Sequence, residues 1–251
     1  MAYEQFAYVY DRLMEDMPYR KWLEYAQGVW NRLGHIQTVA DLGCGTGNVA
    51  IPLGEAGYRV FGVDYSEDML AVANEKWMSA ASSSSKLHLQ WLCQDMRELS
   101  LPEPVDSVIS FCDSMNYLLE EDDLLQVFRR VHDSLRIGGC FLFDMHAPRQ
   151  LQLYGECQPF VYNEDDVAYI WLCEYDEELH QVDHDLTFFI QREGSTCFER
   201  VEEFHTQRAY PYPVIISLLQ QAGFHDIGCS SDFTTRPPHE ATSRYFFAAL
   251  K

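Results

Sequence analysis

None of the apolar runs in this chain approaches 18 consecutive residues, so no segment is suited to cross a bilayer as a helix. Met1-Ala2-Tyr3-Glu4-Gln5 lacks the basic and apolar stretches of a secretion signal, and a soluble, cytoplasmic protein is expected. Cysteine occurs eight times but never as CxxC, and Gly139-Cys140-Phe141 shows the apolar setting of several of them. Such spacing argues for free thiols and against disulfides or structural zinc. His180 and His184 fall in an acidic stretch with no evident third ligand, so no metal site is expected. Positive charge is scarce as well. Eighteen Lys and Arg stand against 39 Asp and Glu, a formal net charge of −21. A surface of that sign repels a phosphate backbone, and no basic cluster offsets it, so nucleic acid is disfavoured as a partner. Solubility explains the acidic excess itself.

What is present is apolar material for a core: 47% of 251 residues are hydrophobic, enough for one large α/β domain carrying an insertion. Phe6, Val9, Tyr10, Leu13 and Met14 recur at helical spacing; Pro18 interrupts, and Trp22 to Leu33 resume before Gly34. The period then changes. Strands are predicted at 36–42, 58–64, 87–92, 105–111 and 140–145, with helices at 48–56, 67–78 and 121–135 between them and a break at Gly138-Gly139. A flexible loop is expected at the serine run Ser82 to Ser85. Strands alternating with helices imply a parallel sheet, because parallel neighbours need crossover connections. Alternation stops near residue 147. Residues 167–175, 182–191 and 197–208 read as antiparallel strands, with Glu193-Gly194-Ser195 as a turn. A helix at 213–222 and strands at 224–230 and 244–250 follow. The predicted organisation is one domain over 1–147 and 209–251, with a β-rich insertion over 148–208 as substrate lid. About sixty residues is long for a plain connection.

The chemistry concentrates in Asp41-Leu42-Gly43-Cys44-Gly45-Thr46-Gly47-Asn48. A strand ending in alternating glycines and opening a helix lets the backbone approach a ligand, with amides facing its polar groups. Asp64 ends the next strand, where an acid can accept from ribose hydroxyls. The dinucleotide spacing G-x-G-x-x-G fails, since its sixth position is Asn48. A tighter turn preceded by an acid suits a zwitterionic amino-acid tail instead of a pyrophosphate.

This pattern resembles motif I of the class I S-adenosylmethionine-dependent methyltransferases. Phe61-Gly62-Val63-Asp64-Tyr65-Ser66 with Met69-Leu70 resembles the second motif, Cys93-Gln94-Asp95-Met96 the third, and Asp106 to Ser110 the fourth strand. Leu135 to Gly139 before Phe141 to Asp144 resembles the turn into strand five, and Leu218 to Phe224 the last helix and its turn. The resemblance implies a Rossmann-like seven-stranded sheet with helices on both faces and an antiparallel final strand, plus the antiparallel β insertion. It also implies S-adenosyl-L-methionine as cofactor. Asp41, Gly43, Gly45 and Gly47 would face its tail, and Asp64 beside Tyr65 its ribose. Asp95 would meet the adenine amino group and the Met96 amide the ring. Phe6 to Met14 is similar to the opening of a bacterial small-molecule-type group that methylates amines and amino-sugars, in which an early tyrosine, here Tyr10, approaches the cofactor. In that group the insertion covers the active site.

The loop Phe111 to Tyr117 follows strand four and should border cofactor and acceptor, since ligands sit at the carboxyl ends of such strands. Cys112 is a candidate for a carbonyl on the cofactor's amino group, and Asp113 and Asn116 for the acceptor; a loop satisfying its own backbone is the competing reading. His146 after strand five is the candidate general base, with a structural histidine as the alternative. Glu203, His205, Arg208 and Tyr210 are candidate lining residues where the insertion rejoins the core; a solvated strand is the plainer explanation. The expectation is methyl transfer to a small-molecule acceptor, with nitrogen favoured over oxygen. An RNA methyltransferase and a noncatalytic S-adenosylmethionine-binding module are the rivals.

Overall fold

The computed structural model describes residues 10, 11, 13, 14, 16–80, 88–192 and 194–251. Its first long helix, α1 (Tyr19–Leu33), begins just after Pro18, which a helix tolerates only at its start. The expected helix over the first residues, the serine loop and Glu193 lie wholly or partly outside the described residues.

From β1 (Thr38–Leu42) onward the chain alternates: α2 (Ala50–Glu55), β2 (Arg59–Asp64), α3 (Glu67–Ala80), β3 (Leu89–Cys93), β4 (Val105–Ser110), α4 (Glu121–Ser134) and β5 (Leu135–His146). After the insertion come α6 (Tyr212–Gln221), β10 (His225–Ser231) and β11 (Arg244–Leu250). These strands form one seven-stranded sheet in the order β10-β11-β5-β4-β1-β2-β3, with β11 antiparallel to both neighbours. The central strands are buried on both sides, so β1 reads as an unbroken buried run, Thr38 to Leu42. One face packs Phe128 and Val131 of α4 and Leu219 of α6 against Phe141 and Phe143. The other packs Trp22 and Trp30 of α1, Leu53 of α2 and Trp77 of α3 against Val39, Val60 and Phe246. Burying an aromatic ring of this kind contributes about 2–3 kcal/mol.

Two expectations need correction. Helix α4 ends at Ser134, and β5 starts at Leu135, five residues earlier than expected: Leu135 pairs with Val105 and the Gly138 amide donates to the Lys251 carbonyl, while Gly138, at φ 78°, kinks the strand where the register shifts. The insertion also contains a helix that the sequence pattern did not announce, α5 (Pro148–Cys157), and a short strand, β6 (Phe160–Asn163). Only Leu151 of α5 is buried, so α5 presents no apolar stripe to reveal its period.

Strands β6, β7 (Val167–Asp176), β8 (Gln181–Gln191) and β9 (Phe198–Arg208) form a separate four-stranded antiparallel sheet. Residues alternate in facing along each strand. One face therefore carries Trp171, Cys173, Val182, His184, Glu203, His205 and Gln207, and closes over Leu151 of α5.

Candidate active site

The turn after β1 is built on backbone that only glycine adopts without strain. Gly43 has φ 67° and Gly45 φ 51°. A Cβ on Gly43 would lie 2.6 Å from Ser114 Oγ, whereas a Cβ on Gly45 would meet nothing within 4 Å. Open space thus faces the middle of the turn. Asp64 holds the turn from the neighbouring strand: its carboxylate accepts from the amides of Gly45 at 2.8 Å and Ser66 at 2.9 Å. Burial raises the Asp64 carboxyl, and the Ser66, Gly45 and Tyr65 amides oppose that. Asp41, 2% exposed, leaves Oδ2 without a partner. Burial and the nearby Asp64 push its carboxyl up to about 8.

The second half of the site is an ion network centred on Arg244, the first residue of β11. Antiparallel register sets Arg244 opposite His146, and period-2 facing puts both on the α1 side of the sheet with Asp144. Asp144 is fully buried and accepts from Trp22 Nε1 at 2.8 Å, the Cys112 amide at 2.8 Å, the Asp113 amide at 3.3 Å and Arg244 Nη1. Those amides explain how Cys112 and Asp113 both hold left-handed φ values, 59° and 57°. Asp113 in turn pairs with Arg244 Nη2 at 3.0 Å, Gln207 Nε2 at 2.9 Å and His146 Nε2 at 3.3 Å. Burial alone would raise the Asp113 carboxyl; the facing His146 ring, Arg244 and Gln207 outweigh it and hold it down to about 2. Burial lowers His146 to about 3; Asp113 opposes that and Arg244 adds to it. The ring is therefore neutral, and its Nδ1 has no hydrogen-bond partner.

A polar relay joins this network to the four-stranded sheet. Trp171 Nε1 donates to His184 Nδ1 at 3.0 Å, which assigns the His184 proton to Nε2, 3.3 Å from Gln207 Oε1. Gln207 then donates to Asp113. Every donor in the relay points toward the same carboxylate.

The structure brings several of the expected residues close together: Asp41 faces Asp64 and Cys112, Asp64 holds Gly45 of the glycine turn, and Asp113 faces Tyr10 and His146. Tyr10 faces Cys112, Tyr117 and Asp113, and burial raises its hydroxyl well above the ordinary value. Next to it, Asp11 bonds Asn48 Nδ2 at 3.0 Å, Lys76 Nζ at 2.7 Å and Thr46 Oγ1, tying this segment to the glycine turn. Gly47 completes the turn, and Tyr65, just after β2, is 78% exposed. Met96 packs beside Gly43. Asp95 holds an ion pair with Arg97 at 2.6 Å that lowers its carboxyl.

Three of the expected acceptor residues have other partners. The Asn116 amide clamps the Arg208 and His146 carbonyls, Arg208 Nη1 donates to the Leu119 carbonyl, and the Tyr210 hydroxyl donates to that of Leu118. Tyr210 is 2% exposed, so it braces the loop from behind instead of lining an open pocket. Glu203 and His205 do face inward, 3.9 Å apart; burial raises the first and lowers the second. Sequence reasoning missed Arg244, Asp144, Trp22, Gln207 and Asp11. Only the strand assignment of 244–250 hinted at Arg244, since its opposition to His146 follows from register.

These residues fit a nucleoside sulfonium carrying an amino-acid tail: open space before Gly45, an amide-rich turn, a buried acid behind it with one oxygen unpartnered, and a second acid one strand over. Asp64→Ala should lower the affinity for S-adenosylhomocysteine at least about tenfold, since a hydrogen bond to a charged acceptor is worth roughly 1.5–3 kcal/mol. Calorimetric titration checks this, and an unchanged affinity would remove Asp64 from the ribose.

A family model described as a methyltransferase domain matches residues 39–139. A putative methyltransferase of Geobacillus sp. (strain WCH70) is 37% identical over 253 residues, with 100% of each chain covered. The fold is similar to that of an S-adenosylmethionine-dependent methyltransferase from Clostridium acetobutylicum ATCC 824, at TM-score 0.86 and 26% identity over 100% of this chain and 99% of that one. The sugar N-methyltransferase KedS8 from Streptoalloteichus sp ATCC 53650 shares the fold at TM-score 0.77 and 17% identity, covering 97% of this chain and 92% of its own.

Proposed function

Because the chain belongs to the class I S-adenosylmethionine-dependent methyltransferases, we propose that it methylates an amine nitrogen of a small acceptor held beneath the four-stranded sheet. The cofactor supplies an activated methyl group, so the protein's own task is to orient a nucleophile and exclude water. Positioning of this kind is worth up to about 7–11 kcal/mol. Asp113 carries the reading. Its carboxylate, held down to about 2, faces the hydroxyls of Tyr10, Tyr117 and Tyr154. A carboxylate among aromatic rings favours a cation. The chain's net charge of −21 draws amines in the same direction.

An amine must shed its proton before it can attack. That proton passes to solvent, since His146, held at about 3 by burial, takes none at neutral pH; its neutral ring, with Nε2–H facing Asp113 and Nδ1 buried, instead orients the Asp113 carboxylate. The sign for rate follows. Asp113 and His146 both titrate far below pH 5, so any rise in kcat/KM between pH 6 and 8 reflects groups other than these two, the acceptor's amine first. The inward-facing Glu203 and His205 extend the acceptor surface, and residues 148–208 act as its lid. KedS8 is named for nitrogen as its acceptor atom, which agrees with this reading.

Labelled cofactor offered with small amines and their hydroxyl analogues tests the proposal. Amines should take up label; uptake by the hydroxyl analogues alone would sink it. With the amine found, Asp113→Asn should lower kcat/KM at least about 100-fold, the worth of a charge-assisted pair in a desolvated site. Its affinity for S-adenosylhomocysteine should stay within about threefold, because the Asp113 carboxylate is bonded to Arg244, Gln207 and His146 and to neither Asp64 nor the glycine turn among the described residues.

A further inference from the structure

Asp41 and Asp64 flank the same glycine turn from adjacent strands, but the molecule treats them unequally. Asp64 receives three backbone amides, those of Gly45, Ser66 and Tyr65. Asp41 receives one, from Ala50; its Oδ2 has none, and the residue is 2% exposed. Among the described residues, the titratable groups that face Asp41 are Asp64 on β2, Cys44 in the turn and Cys112 in the loop after β4, and none of these three is a cation. An ionised carboxylate cannot be buried without partners at tolerable cost, so such a group takes a proton instead. Of the two acids, the one with fewer donors takes it.

We propose that Asp41 is protonated in the ligand-free protein and surrenders that proton to solvent when the sulfonium cofactor binds, so that cofactor loading is coupled to proton release. The inference rests on the cofactor reading above. The O–H bond of the Asp41 carboxyl breaks, its electron pair stays on the carboxylate, and the proton passes to buffer; nothing is oxidised or reduced. The turn then presents two carboxylates to a cation, where it had presented one. Burial and Asp64 push the free Asp41 carboxyl up to about 8, in agreement with this geometry.

The sign is fixed by linkage. A ligand that favours the ionised form binds more weakly as pH falls below the free-state value, by up to tenfold per pH unit. S-adenosylmethionine itself is the probe, titrated without acceptor at pH 6.5 in phosphate and in imidazole, two buffers with different ionisation enthalpies. Wild-type protein should show a buffer-dependent heat equivalent to roughly one proton released per site. Its affinity should rise by about tenfold from pH 6 to pH 7. Asp41→Asn keeps the shape of the protonated acid and should bind with no proton released. Binding with the same heat in both buffers, or equal release by the variant, overturns the proposal. Where the variant fails to fold or bind, the wild-type pH series decides, and a flat affinity rejects the coupling. Absence of any binding by the wild type would instead reject the cofactor reading.

Discussion

Arg244→Met should cost about 3–5 kcal/mol of folding stability, the range for removing one member of a buried ion cluster. The arginine is the only cation bonded to Asp113 and Asp144 among the described residues, and its side chain is 14% exposed against 0% for Asp144. Methionine keeps the length of the stem and leaves two acids facing each other. The Asp144 carboxyl must then take a proton, and the left-handed loop at Cys112 and Asp113 loses the charge that organises it. Denaturant unfolding at pH 7 measures the loss. Arg244→Lys should recover only part of it, because an ammonium cannot reach both carboxylates as a planar fork does. The deficit of the methionine variant should shrink toward pH 4, where the acids take protons at less cost. A deficit that is the same at pH 4 and pH 7, or a variant as stable as wild type, would mean that the network does not hold the loop.

Gly43→Ala should weaken S-adenosylhomocysteine binding by more than about 100-fold and also lower the melting temperature. Left-handed backbone costs an alanine about 1–2 kcal/mol. The added methyl would sit 2.6 Å from Ser114 Oγ and 2.7 Å from its Cβ, so the turn and the loop after β4 must separate. Gly45→Ala provides the contrast: its methyl enters open space, so stability should fall only by the backbone cost while binding falls because the cleft is filled. Equal stability of the two variants would argue against close packing of the turn on Ser114.

Much of this was legible because it is local. β1, its glycine turn and Asp64 form one short strand–turn–helix–strand unit, and alternation of period along 36–145 implies a parallel sheet without long-range information. The final strand was read with its observed limits, Arg244–Leu250, because its apolar run is flanked by polar chain. What stayed hidden is relational. Asp144 looks like one more strand residue until Trp22, 122 positions earlier, donates to it. Gln207 gives no chemical signal alone, yet it bridges His184 to Asp113. Asn116, Arg208 and Tyr210 carry polar groups suited to an acceptor, but whether such a group meets a ligand or a carbonyl is decided by loop packing. Helix α5 was missed for a different reason: a helix buried at a single residue leaves no period to read.

The position of β11 has a consequence for the order of folding. This strand fits between β5 and β10, and its first residue pairs with Asp144, 100 positions back, and with Asp113, 131 positions back. Contacts so distant in sequence close late, after the intervening insertion has become compact. Until then β5, paired with β4 on one side, has its other edge open and lies beside two acids that have no counter-ion. Such a species is prone to pair with a second unfinished chain. Closing that edge and neutralising the cleft are then a single event, so a nascent chain acquires its chemistry and sheds its tendency to aggregate together.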